Sequence, residues 1–125
     1  MKNAWEIDWS SNSAFMIERG IMVIIDASKL DKVKRENWTV RIKKNPNRED
    51  SIEVSAIKKT QGRRTTVQLS RILLDVEVGS DELVVRCDVS DKDIFDVRES
   101  NLVIYPEYRE RNAIHFEQVK RKKVN

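Results

Sequence analysis

Alternation of apolar and polar residues dominates the first seventy positions and predicts strands before anything else. Trp5, Ile7 and Trp9 alternate, and the run Ala14-Phe15-Met16-Ile17 meets Ile21 to Ile25 across Glu18-Arg19-Gly20. That order reads as a β-hairpin in which Gly20 supplies the positive φ of the turn. Asp26 is placed to cap a helix running to Arg35, with Leu30 and Val33 at helical spacing. Trp38 opens a strand through Lys44 in which Val40 and Ile42 face one way and Arg41 and Lys43 the other. After a loop at 45–50, the alternating stretch 51–59, the turn Thr60-Gln61-Gly62-Arg63 and the stretch 64–69 complete a three-stranded antiparallel meander with one apolar and one cationic face. The tryptophans Trp5, Trp9 and Trp38, at strand positions, are expected in the core.

Beyond the meander the pattern shortens. Leu69, Ile72, Leu73 and Val76 fit a short helix, Leu83 to Cys87 a strand, 88–96 an Asp-rich loop and Leu102 to Tyr105 another strand. Pro106 suits the first turn of a helix ending near Asn112, and Lys120, Arg121, Lys122 and Lys123 form a basic tail. The predicted class is therefore α+β, a small antiparallel sheet with short helices. The expected organisation is a single domain over 1–125: hairpin and helix (1–37), basic sheet and short helix (38–78), a two-strand-and-helix unit (79–112) and a tail (113–125).

Composition narrows the chemistry. The chain has 125 residues, 36% of them charged, which is room for one core and not two. No apolar run approaches the ~20 residues that span a bilayer, so the expectation is a cytoplasmic protein without membrane contact. One cysteine, Cys87, and one histidine, His115, exclude an internal disulfide, zinc clusters and any mechanism with two imidazoles. Charge is segmented: between 21 and 74 there are thirteen basic and six acidic residues, and between 75 and 99 three basic and nine acidic. A basic block favours a polyanion partner, above all double-stranded DNA, whereas the acidic 75–99 segment would suit docking on a basic protein. The plain alternative is a solvated surface.

Four pieces in order, spanning Gly20 to Asn112, carry a family resemblance. These are Gly20-Ile21-Met22-Val23-Ile24-Ile25-Asp26, Trp38, Arg63-Arg64-Thr65-Thr66-Val67-Gln68-Leu69-Ser70-Arg71-Ile72-Leu73, and Asp96-Val97-Arg98-Glu99-Ser100-Asn101-Leu102. Together the chain resembles the phage and bacterial homing endonucleases of the HNH (His-Me finger) type that carry an N-terminal three-stranded DNA-binding sheet. Ser70 stands where that family has a histidine. The resemblance implies that 79–112 is a ββα finger, with Asp88 at the metal-binding aspartate, Val89 at the general base, Val97 in place of an asparagine, Asn101 as the residue that ties the loop, and Glu110 at the final metal ligand.

Valine cannot take a proton from water, and a general base typically contributes ~10²–10⁴ in rate, so the finger is expected to be degenerate, with no catalytic residue, metal or cofactor. Asp91, Asp93 and Asp96 read as a solvated turn, because the glycine pattern of a calcium loop is missing. What remains is binding. Arg41, Lys43, Lys58, Arg63 and Arg64 on the polar face of the sheet, Lys44 and Lys59 at strand ends, Arg71, and Lys120 to Lys123 are the candidate phosphate and base contacts. The expected function is a DNA-binding regulatory or accessory factor without cleavage. The alternatives are a protein-interaction module using the acidic segment and a metal-dependent nuclease with an unusual base.

Overall fold

Two-residue turns and strand alternation set the first half of the molecule. In the computed structural model, which describes residues 3–44, 46–47, 50–77 and 79–105, β1 (Glu6–Asp8), β2 (Ser13–Glu18) and β3 (Ile21–Asp26) form an antiparallel meander. Arg19 and Gly20 both take positive φ, at 52° and 77°, the signature of the tight turn that matches strand twist. Ala14, Met16, Val23 and Ile25 point to the core from β2 and β3, and the residues between them point away.

The chain then makes a 3₁₀ turn over Ala27–Lys29 that runs into one turn of helix, α1 (Leu30–Val33). Asp26 has the extended backbone of a cap, but its side chain does not cap this helix. Its carboxylate accepts instead from the Glu99 amide at 2.8 Å, so the predicted local cap is a long-range tie. Trp38 closes the segment, fully buried, with its indole N–H donating to the Val33 carbonyl at 2.8 Å. Asn3 brackets the Trp38 backbone from the other side, accepting from its N–H at 2.6 Å and donating to its carbonyl at 2.9 Å.

The second sheet is the expected meander, β4 (Thr39–Lys43), β5 (Ser51–Thr60) and β6 (Arg63–Gln68), in that order. Val40, Val54, Ala56 and Val67 cover the same core as the first sheet, together with Val33, Leu69 and Leu73 from the helices. The helix α2 (Leu69–Leu73) follows β6 directly and meets α1, where Lys32 and Asp75 pair at 2.6 Å.

The last third differs from the sequence reading at one point. β7 (Leu83–Arg86) and β9 (Leu102–Tyr105) pair antiparallel as a separate two-stranded sheet. The Asp-rich stretch between them, expected to be loop throughout, contains β8 (Ile94–Asp96), which pairs parallel with β3. Phe95 and Val97 enter the core from there and are buried. Two apolar residues within a polar stretch are too short a signal to announce a strand; the open edge of β3 supplies the rest. The class is α+β, and among the described residues no helix is long and apolar enough to cross a membrane.

Candidate nucleic-acid interface

Register decides which cations share a face. Arg41 lies opposite Glu53 on β5, and Lys59 lies opposite Arg64 on β6. Side chains alternate along a strand, so Glu53, Ser55, Ile57 and Lys59 project from one side of β5. Arg41, Lys43, Lys59 and Arg64 therefore stand on the outer face, away from the core. Lys58 pairs with Thr65 and projects from the core side, as does Arg63. The sequence reading placed Lys58 and Arg63 with Arg41, which parity forbids; it left Lys59 at a strand end although Lys59 belongs to the outer row.

The two faces still act from one projection. β4 pairs only with 51–55 of β5, so from Ala56 onward β5 and β6 run on as a two-stranded ribbon to the turn at Gln61 and Gly62, where φ is 51° and 78°. Between 56 and 66 there are four basic residues and no acidic one. Lys58, Lys59, Arg63 and Arg64 are all exposed and form no ion pair among the described residues. The ribbon is cationic on both sides.

The base of the outer face is more constrained. Lys43 pairs with the largely buried Glu53 carboxylate at 2.9 Å, and Gln68 donates to its other oxygen at 3.0 Å. The Lys43 ammonium hydrogen-bonded to it holds the Glu53 carboxyl below the usual carboxylate range. Lys43 is thus paired with an acid on this face, whereas Arg41 and Lys44 form no ion pair among the described residues; all three are exposed. A groove lined by Thr39, Arg41, Ile57 and Thr66 runs across this face.

Arg71 belongs elsewhere. Its guanidinium donates to the carbonyls of Glu77, Ser80 and Glu82, stapling α2 to the segment that leads into β7. Three carbonyls leave it few free donors, so it is a structural residue and not part of the ribbon. Trp9 is the second departure, 73% exposed at the β1–β2 connection, while Trp5 is only half-buried.

The segment 83–105 shows how the finger positions are arranged. Asn101, buried, accepts from the Asp88 amide at 2.8 Å and donates to the carbonyls of Asp88 and Asp96 at 3.2 and 2.8 Å. It ties both ends of the loop between β7 and β9. Asp88 directs a carboxylate oxygen to the amide and hydroxyl of Ser90 at 3.0 and 2.7 Å. Val89 is 56% exposed, and Val97 is a core residue. Arg98 grips Asp96 with two parallel bonds, Nε to Oδ1 at 2.9 Å and Nη2 to Oδ2 at 2.7 Å. Burial pushes the Asp96 carboxyl up, but these bonds outweigh it and the net direction is down. Arg86 lies 4.2 Å from the centre of the Phe95 ring and is attracted by Asp96 and Asp88.

Arg98 thus neutralises Asp96, and the charges of Asp96 and Asp88 also reach Arg86. Among the described residues no three His, Cys, Asp or Glu side chains converge as metal ligands. Glu110, His115 and the tail Lys120 to Lys123, with the helix expected after Pro106, lie outside the described residues.

Ile57, out of phase with Ile52, Val54 and Ala56 in the sequence, does project from the outer face; what the sequence reading missed is Thr66 opposite it and the ladder position of Lys59. The signal was present: a two-residue turn at Gln61-Gly62 makes Thr60 and Arg63 direct partners, and parity follows from there. Compared with known proteins, the chain matches no family model, no curated protein and no solved structure.

Proposed function

We propose that this chain binds double-stranded DNA through the β5–β6 ribbon and the outer face of its three-stranded sheet, without cleaving it. The observation that carries the reading is the ribbon itself, a projecting pair of strands with Lys58, Lys59, Arg63 and Arg64 exposed and no acid between residues 56 and 66. A two-stranded ribbon fits the ~12 Å major groove, where lysine neutralises phosphate and arginine can bond guanine with two donors. The resemblance to HNH homing endonucleases supports the same use of the sheet. Asn101 tying the loop between two antiparallel strands agrees with the finger that the resemblance implies.

Loss of cleavage follows from side-chain chemistry at two places. Val89 cannot act as a base, and Asp96 is paired with Arg98. The role supported is that of a regulatory or accessory DNA-binding factor acting in the cytoplasm.

The test is a gel-shift titration of the full chain on random-sequence duplex at several salt concentrations, with and without EDTA. With four ribbon cations on phosphates, log K should fall with log salt at a slope of about −3.6, from roughly −0.9 per phosphate, and EDTA should change nothing. Supercoiled plasmid with Mg²⁺ or Mn²⁺ should remain uncut. Salt-independent or absent binding refutes the interface; magnesium-dependent nicking that Asp88→Ala abolishes refutes the loss of cleavage.

A further inference from the structure

The outer face of the ribbon is not uniformly charged. Proceeding from the turn, its cross-strand rows are Lys59 with Arg64, then Ile57 with Thr66, then Ser55 with Gln68. Ile57 is 61% exposed in the middle of this polar series, and Thr66 opposite it is exposed as well. An exposed isoleucine alone is ordinary. This one has a defined setting: it lines the groove shared with Thr39, Arg41 and Thr66, one row from the Lys59–Arg64 pair. The core does not use it, because its neighbours Ala56 and Val67 face the other way and are buried.

We propose that Ile57 and Thr66 form a thymine-methyl sensor, so that the ribbon prefers duplexes presenting the 5-methyl group in the major groove. The inference rests on the DNA-binding reading and adds selectivity to it. The major-groove edge of an A·T pair is distinguished by that methyl, and its natural partner is an apolar or threonine side chain. Both residues are β-branched and held on strands, so their methyl groups stand off the sheet with little rotamer freedom left to lose. Cations on both sides of the pair, Arg41 across the groove and Lys59 with Arg64 toward the turn, supply the charge complementarity to the flanking phosphates.

The experiment compares the full chain on alternating poly(dA–dT) and alternating poly(dA–dU), which differ by the methyl alone. Wild type should bind the thymine duplex about fourfold more tightly for each methyl it covers, the effect of removing one such group from water. The double variant Ile57→Ser/Thr66→Ser should bind both duplexes equally, and Arg64→Ala should weaken both while keeping their ratio. Salt-dependent binding of equal strength to the two duplexes by wild type overturns the sensor and leaves DNA binding standing. No salt-dependent binding to either duplex overturns the DNA-binding reading, and the sensor with it. A ratio that persists in Ile57→Ser/Thr66→Ser assigns the preference to duplex shape and also overturns the sensor.

Discussion

Two asparagines far apart in the sequence do equivalent work. Asn3 and Asn101 each present a side-chain amide to the backbone of a residue far away in sequence, Trp38 and Asp88, satisfying its N–H and its carbonyl as a neighbouring strand would. An amide carries both a donor and an acceptor, which is why asparagine and not aspartate suits the position. Removing the buried Asn101 strands the Asp88 amide and the Asp96 carbonyl; Asn101→Ala should cost about 2–4 kcal/mol in urea denaturation, with Asn101→Asp recovering only part. The carboxylates make a prediction of the opposite kind. Glu53 and Asp96 are both held below their ordinary values, 4.5 and 3.8, so the unfolded chain binds more protons than the native one as the solution is acidified. Their contribution to stability is present above those values and lost as pH falls through the depressed native ones. The urea midpoint should therefore drop on acidification below pH 4.5, and Glu53→Gln should flatten that drop.

At the scale of the element, the β5–β6 ribbon separates binding from stability. Its cations touch no partner among the described residues, so Arg63→Ala and Arg64→Ala should leave thermal stability within about 0.5 kcal/mol of wild type. Each should reduce the salt slope of duplex binding by about 0.9. The turn behaves differently. Gly62 sits at φ +78°, where a Cβ is strained although nothing crowds it, so Gly62→Ala should cost about 1 kcal/mol by thermal unfolding while keeping the charge of the ribbon intact. Arg71 completes the contrast: Arg71→Ala should lower stability and change DNA affinity only through folding, because its donors are spent on the carbonyls of Glu77, Ser80 and Glu82.

For the whole molecule, the decisive fact is that two sheets share one core. Residues from β2 and β3, from the second meander, from both helices and from the β8 strand pack into a single cluster around Trp38. Among the described residues, neither of the two larger sheets has an apolar core apart from this one. Unfolding should accordingly be one cooperative transition, with tryptophan fluorescence and far-ultraviolet circular dichroism giving coincident urea curves. Trp38→Ala, which empties the largest fully buried position and removes the bond to Val33, should cost about 3–5 kcal/mol and shift both curves together.

Local chemistry alone determined the hairpin at Arg19-Gly20, the meander from Trp38 to Leu69 with its Gln61-Gly62 turn, and the strands at 83–86 and 102–105. These follow from period-two alternation in the meander, from short apolar runs elsewhere and from turns only two residues long, interactions that residues make with near neighbours. The bonds of Asn101 to Asp88 and Asp96 were not legible in the alternation of the chain; only the resemblance implied a tie there. Tertiary structure decided the rest: that Asp26 serves Glu99 and not its own helix, that Arg71 is a staple, that β8 joins β3, and that Trp9 stays outside. Each of these choices depends on which distant backbone groups and apolar edges remain unsatisfied once the local elements have formed, and no pattern confined to one stretch of chain encodes that.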